Sequence, residues 1–140
     1  MVELLVEDEV KSLELSINEV LKDFPEIFFV TLFGSAAKGR MTTQSDVDIA
    51  VASSRKLSIE ESAQLVVALS CAIGREIDLI DLQAVSGLIL EQSLCHGKII
   101  KNNDHPLYAS LLKRLWYNQA DMMPYYRRIL EHRSNHWLQQ

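Results

Sequence analysis

Residues 27–52 read IFFVTLFGSAAKGRMTTQSDVDIAVA, two apolar runs joined by a polar loop. The first run, residues 27–33, is β-branched and aromatic and leads directly into Gly34, which is typical of a buried strand. The second run, residues 46–52, begins with two aspartates and predicts another strand. The loop between them, residues 35–45, contains Gly39. The stretch therefore predicts two strands separated by a polar loop.

Helical patterns flank this pair of strands. Apolar residues at spacings of three and four predict a first helix that ends at Asp23-Phe24-Pro25. Ser58 and Glu61 form the pattern of a capping box, and Gly74 marks the end of the helix that they open. Further along we predict a strand at residues 76–81, a helix from about Gln83 to Leu94, a short strand at residues 98–101 and helical sequence from about His105. The fold class is therefore α/β (α+β), an approximately four-stranded mixed sheet flanked by helices.

The composition is that of one globular domain. The chain has 140 residues, of which 48% are hydrophobic and 24% charged, enough to bury a core. Its apolar runs are too short to cross a bilayer, and no secretory signal is visible, so we expect a cytoplasmic protein. The two cysteines, Cys71 and Cys95, lie in apolar sequence and are predicted to be core thiols.

The charge is distributed unevenly along the chain. The net charge of −5 argues against a protein that coats nucleic acid. Residues 1–100 have a net charge of −8, whereas residues 101–140 have a net charge of +3. The basic tail also combines aromatic residues with arginines, a mixture that favours partner binding over core packing alone. These residues are Tyr108, Trp116, Tyr117, Tyr125, Tyr126 and Trp137, beside Arg114, Arg127, Arg128 and Arg133.

The loop that opens with Gly34 and Ser35 is suited to holding phosphate. Glycine lets the backbone approach an anion closely, and the serine hydroxyl donates a further hydrogen bond. Lys38 and Arg40 follow in the loop and could neutralise phosphate charge. Alone the motif is weak, because a strand followed by Gly-Ser is usually only a turn.

Two aspartates strengthen this interpretation. Asp46 and Asp48 are two residues apart on a predicted strand, so their side chains point to the same face. Adjacent carboxylates repel each other at the head of an apolar strand unless a cation lies between them, and magnesium fits best. The alternative is that Asp46 belongs to a turn and Asp48 lies exposed at an edge.

The third predicted strand supplies another acid. If that strand lies beside the second, Asp78 completes a cluster of three carboxylates and could act as a general base. Strand alternation turns Asp81 the other way, so we expect Asp81 to cap the helix that begins near Gln83.

These residues resemble a known signature. Gly34-Ser35, ten residues and then Asp46-Val47-Asp48 are similar to the motif of polymerase-β-like nucleotidyltransferases. The small size resembles the minimal nucleotidyltransferases (MNT), most closely the MntA-type antitoxins of HEPN/MNT toxin–antitoxin systems. The resemblance implies a nucleotidyltransferase domain at residues 1–103 and a C-terminal helical segment at residues 104–140 that packs on the domain and contacts a partner.

The resemblance also implies a chemistry. Two magnesium ions would be held by Asp46, Asp48 and Asp78, while Gly34 and Ser35 hold the phosphates of ATP. The implied role is that of the antitoxin in a type VII pair. It would add AMP from ATP to a tyrosine of a cognate HEPN-domain ribonuclease toxin (HepT), with which it forms a hetero-oligomer. Neither a membrane nor nucleic acid is expected as a partner.

Two alternatives remain open at this stage. The acceptor could be a small hydroxylated molecule, although the chain is short and no separate substrate domain follows the catalytic one. The chain could also neutralise a toxin by binding alone, although the intact set of acids argues against a decayed site.

Overall fold

The computed structural model describes residues 7–34 and 46–121, which form four helices and four strands. The order of helices and strands agrees with the order predicted from sequence. In chain order they are α1 (Glu7–Leu21), β1 (Phe29–Phe33), β2 (Val47–Ala52), α2 (Ile59–Ile73), β3 (Ile77–Asp81), α3 (Gly87–Cys95), β4 (Lys98–Asn102) and α4 (His105–Asp121). None of the helices in this part of the chain has the length and apolar character needed to cross a membrane.

The four strands form one mixed sheet in the order β3-β2-β1-β4. β1 is antiparallel to both β2 and β4, whereas β2 and β3 are parallel. A parallel pair requires a crossover connection, and α2 provides it. As a result, the end of β1 and the beginnings of β2 and β3 meet at the same end of the sheet, which we call the carboxylate end.

One face of the sheet is covered by α1 and α2. Val47, Ile49 and Val51 alternate along β2 toward this face and are fully buried, as expected from the strand period of two. The helices contribute leucines and isoleucines at helical spacing, each of which stabilises the fold by about 1.5–3 kcal/mol when buried. These helix residues are Leu13, Ile17, Leu21, Leu65 and Leu69.

The opposite face is covered by α3 and α4. Ala50 and Ala52 of β2 point to this side, and their small side chains allow close approach of the helices. Phe29 stacks on Tyr108 of α4 with 5.1 Å between the ring centroids. The buried helix residues on this face are Leu90, Leu94, Leu107, Leu111 and Leu115. The first part of the predicted C-terminal segment thus packs on the sheet, while the boundary at residue 103 stays a prediction.

The signals that delimit α2 behave as predicted. The Ser58 hydroxyl accepts a hydrogen bond from the Glu61 backbone N–H, and the Glu61 carboxylate accepts one from the Ser58 backbone N–H. Gly74 follows the helix with a φ of 74°, a left-handed conformation that favours glycine.

Two predictions, the start of α3 and the burial of the cysteines, are wrong. α3 begins at Gly87 and not near Gln83, because residues 82–84 form a turn held by the side chains of Asp81 and Arg114. Cys71 and Cys95 are exposed rather than core thiols. Cys71 lies two positions after buried Leu69, which places it on the other side of its helix.

Arg114 has a structural role that its position in the basic tail did not suggest. Its guanidinium is partly buried and donates hydrogen bonds to the carbonyl oxygens of Leu82, Gln83 and Val85. Burial lowers the pKa of Arg114, and the nearby charge of Asp81 opposes this change. Arg114 therefore attaches α4 to the turn after β3 and is not a free interface residue.

Candidate active site

β1 ends at Gly34, which has a φ of 69°. This left-handed conformation favours glycine over residues with a side chain. A Cβ atom placed on Gly34 would lie 3.0 Å from Cγ of Asp48 and closer still to its Oδ2. We predicted that Gly34 permits backbone approach to phosphate; in the structure its missing side chain also makes room for the Asp48 carboxylate.

Asp48 and Asp78 are direct neighbours on the parallel strands β2 and β3. Asp78 can join the cluster only if these two strands are adjacent, and they are. Partial burial, followed by the charges of Asp78 and Asp46, raises the pKa of Asp48 above its ordinary value of 3.8. A side-chain hydrogen bond with Asp78 acts in the same direction. The two carboxyl groups therefore form one coupled pair at the carboxylate end of the sheet.

Asp46 lies immediately before β2 and is exposed. Its charge reaches Asp48. Within residues 7–34 and 46–121, however, no three acidic, histidine or cysteine side chains are grouped as a complete metal site. The structure thus pairs Asp48 with Asp78 and leaves Asp46 at their edge.

The donor set nevertheless suits magnesium. Carboxylate oxygens are the ligands that this ion prefers. Partial burial is the largest cause of the raised pKa of Asp48, and the charges of Asp78 and Asp46 add to it; a bound cation would offset these charges. Asp48, Asp78 and Asp46 are the residues that would hold it. Their role as ligands stays a prediction.

Asp81 has a different role from the one predicted for it. Its carboxylate accepts hydrogen bonds from the backbone N–H of Leu57 at 2.7 Å and of Gln83 at 2.9 Å. It therefore connects the segment before α2 to the turn after β3, and α3 begins only beyond that turn. The preference for Asp78 over Asp81 as a site residue stays a prediction.

Three predicted phosphate ligands, Ser35, Lys38 and Arg40, lie outside the described residues, as do the aromatic and arginine residues of the tail from Tyr125 onward. The phosphate-binding roles of the loop therefore stay predictions.

The sequence analysis did not single out Phe33 as a site residue. Phe33 on β1 pairs directly with Asp48 on β2, so its partly buried side chain lies on the same face of the sheet. Phe33, Asp48 and Asp78 thus form one row across three adjacent strands. The alternation of residues 27–33 indicates the face on which Phe33 lies. Its position beside Asp48, however, depends on the register between β1 and β2.

Comparison with known families identifies this arrangement. The family model described as polymerase beta, nucleotidyltransferase matches residues 16–106, more than half of the chain. The chain belongs to this nucleotidyltransferase family. The match includes Gly34, Asp46, Asp48 and Asp78, and the fold of four helices and a four-stranded mixed sheet is consistent with it.

A curated relative gives a more specific likeness. The protein adenylyltransferase MntA of Shewanella oneidensis is 30% identical over 102 residues, which cover 69% of this chain and 73% of that protein. The match to this relative extends over more residues than the match to the family model.

Two solved structures share the fold. A chain in a toxin–antitoxin crystal structure with AMP-PNP has a TM-score of 0.68 and 25% identity, covering 84% of this chain and 98% of that one. A chain in the structure of a tri-AMPylated Shewanella oneidensis HEPN toxin with its MNT antitoxin has a TM-score of 0.64. It is 23% identical and covers 86% of this chain and 98% of that chain, a likeness that shows the fold.

Proposed function

We propose that this chain is a magnesium-dependent protein adenylyltransferase, the antitoxin of a type VII toxin–antitoxin pair. It transfers AMP from ATP to a tyrosine of a cognate HEPN-domain toxin (HepT) and thereby neutralises it. The observation that carries the proposal is the Asp48–Asp78 pair beside Gly34, in a chain of the nucleotidyltransferase family.

The proposed roles follow the positions of the residues. Gly34 begins the loop that holds the triphosphate, and Ser35, Lys38 and Arg40 assist within that loop. Asp46, Asp48 and Asp78 hold two magnesium ions. When bound, magnesium neutralises phosphate charge and polarises the phosphoryl oxygens of the nucleotide. A bound cation would also offset the charges of Asp78 and Asp46, which, after partial burial, raise the pKa of Asp48.

The reaction is an in-line displacement at the α-phosphorus of ATP. The tyrosine oxygen forms a bond to this phosphorus while the bond to the oxygen bridging to the β-phosphate breaks, and pyrophosphate leaves. Asp78 accepts the hydroxyl proton, because its side chain is exposed where an incoming acceptor can reach it. Asp48 is half-buried beside Asp78 on the neighbouring strand, so it serves as a metal ligand rather than as the base.

The relatives support a protein acceptor. The curated relative is named a protein adenylyltransferase, and the fold neighbours come from a toxin–antitoxin structure with AMP-PNP and from a complex with a tri-AMPylated HEPN toxin. Trp116 and Tyr117 at the end of α4 are 73% and 70% exposed. Exposed aromatic residues of this kind are typical anchors in protein interfaces, and we assign them to the contact with the toxin.

The experiment uses the full chain, radiolabelled ATP, magnesium and its cognate HEPN protein. Label should transfer to the toxin from ATP labelled at the α-phosphate but not from ATP labelled at the γ-phosphate. Replacement of the acceptor tyrosine, located by peptide mass spectrometry, should abolish the label. Label that appears on a small hydroxylated compound but not on the toxin would refute a protein acceptor.

A further inference from the structure

A buried threonine joins β1 to α3. Thr31 is fully buried, and its Oγ1 donates a hydrogen bond of 2.7 Å to the carbonyl oxygen of Ser93. The two residues are 62 positions apart in the chain. Because a buried polar group without a partner is costly, this bond fixes the last turns of α3 against the strand.

Gly97 adds an independent restraint at the same point. A Cβ atom on Gly97 would lie 2.6 Å from the Ser93 carbonyl oxygen and 3.1 Å from Cβ of Thr31. The backbone after α3 therefore approaches Thr31 more closely than any side chain would allow. Thr31, Ser93 and Gly97 form a contact that we call the α3 clamp.

The α3 clamp lies close to the carboxylates. Thr31 pairs with Ala50 on β2, and Phe33 pairs with Asp48. Strand alternation places all four side chains on the face that α3 covers, and Ala50 is small enough to admit the helix. Ser93 lies two residues before the end of α3. The α3 clamp therefore sets where this end stands relative to the row of Phe33, Asp48 and Asp78.

We propose that Thr31 is a positioning residue for nucleotide binding, a role that rests on the proposed function. Its hydrogen bond holds residues 93–97 as a wall against β1, the strand next to that of Asp48, and the nucleotide lies against this wall. Thr31 touches neither substrate nor metal in this proposal. Its loss widens the site and weakens nucleotide binding, while the carboxylates that perform the transfer remain in place.

Thr31→Val tests this with little change of shape, because valine keeps the branched side chain and removes the donor. Thr31→Ser is the matched control, because serine keeps the hydroxyl. We expect Thr31→Val to weaken binding of AMP-PNP with magnesium, and to raise the KM for ATP, by about fivefold, because the wall against which the nucleotide lies is displaced. The kcat should fall less, and Thr31→Ser should stay within about twofold of wild type.

Gly97→Ala displaces the same wall without altering the hydroxyl and should weaken AMP-PNP binding in the same direction. If circular dichroism shows that Thr31→Val does not fold, the affinity of Gly97→Ala for AMP-PNP tests the proposal instead. A folded Thr31→Val or Gly97→Ala protein with wild-type affinity for AMP-PNP overturns the proposal, as does Thr31→Ser with the same defect as Thr31→Val.

The binding measurement separates this inference from the proposed function. If wild type binds AMP-PNP but transfers nothing to the toxin, the proposed function fails, and the affinities of the variants still decide the role of Thr31. If wild type does not bind AMP-PNP, the positioning role fails as well, because there is no nucleotide site to position.

Discussion

Gly34 and Asp48 lie so close together that there is no room between them for a methyl group. The Gly34 backbone has a positive φ, and its Cα faces the Asp48 carboxylate so closely that an added Cβ would overlap with it. The residue that begins the phosphate loop thereby also fixes the carboxylate next to Asp78. Loop and carboxylates are one structural unit, although they are far apart in the linear motif.

Gly34→Ala should reduce nucleotide transfer strongly. The substitution strains the left-handed backbone by about 1–2 kcal/mol and pushes the Asp48 carboxylate from its position beside Asp78. Displacement of a catalytic group by about 1 Å can cost on the order of 100-fold in rate, so we expect a loss of that size in kcat/KM for labelled ATP.

Gly74→Ala is the matched control for this variant. Gly74 has nearly the same φ, 74°, but no atom lies within 4 Å of an added Cβ, and the residue only ends α2. It should lose a comparable amount of stability while keeping its activity. Equal activity losses in the two variants would contradict the specific contact between Gly34 and Asp48.

Asp48→Asn should raise the thermal stability of the metal-free protein while abolishing transfer. Desolvation and the charges of Asp78 and Asp46 disfavour the Asp48 carboxylate, and a neutral amide avoids both. Because the site is partly exposed, solvent screens the repulsion, and we expect a Tm increase of only a few degrees in EDTA. Calorimetry measures this directly.

Asp81→Asn, on the adjacent strand β3, should change the Tm in the opposite direction. Its carboxylate accepts two backbone hydrogen bonds, so its neutralisation should lower the Tm. Magnesium should raise the Tm of wild type and of Asp81→Asn, and should leave the Tm of Asp48→Asn unchanged. A Tm decrease for Asp48→Asn in EDTA would show that Asp48 is a structural residue.

Trp116→Ala should weaken the complex with the toxin without lowering stability. The side chain is 73% exposed at the end of α4, so little packing is lost within the chain, whereas an aromatic anchor is lost from the proposed interface. We expect at least a tenfold rise in Kd by calorimetry, roughly the cost of losing a significant anchor. Leu15→Ala, 70% exposed on α1, is the control and should bind normally; equal effects of the two would argue against the end of α4 as the contact.

Glu61 makes the stability of the folded chain depend on pH in the acid range. Hydrogen bonds from Arg55 and then from the backbone of Ser58 lower the pKa of Glu61 from 4.5 to about 2. Since the pKa is lowered in the folded state, the stabilisation is present above pH 4.5 and is lost as the pH falls toward 2. Urea unfolding should show wild type more stable than Glu61→Gln at pH 7, with the difference shrinking across this window. A difference that does not depend on pH would contradict the assignment.

Local patterns in the sequence were sufficient for much of the fold. The strand signals at residues 27–33 and 46–52, the Ser58 capping box and the Gly74 helix end depend on neighbouring residues, and the structure has them all. The start of α3 was misplaced because the turn before it is held by Arg114, a residue 31 positions away from Gln83. A hydrogen bond between residues so far apart in the chain produces no periodic pattern in the sequence of the turn.

The site was predictable only as far as strand order could be guessed. Asp48 and Asp78 were singled out as acids in apolar strands, but their adjacency required β2 and β3 to be parallel neighbours. The fit of Gly34 against Asp48 and the α3 clamp at Thr31 depend on distances of a few ångströms between separate strands and helices. Spacing along the chain carries no information about distances of that kind.

The most direct test of the central claim is the intact mass of the toxin after incubation with this chain, ATP and magnesium. We expect the toxin to gain mass in whole AMP units and to lose its ribonuclease activity. We also expect the Asp46→Ala/Asp48→Ala variant, although folded and bound to the toxin, to add no mass. A toxin of unchanged mass that wild type nevertheless inhibits, and that the double variant inhibits equally well, would contradict the account and show neutralisation by contact.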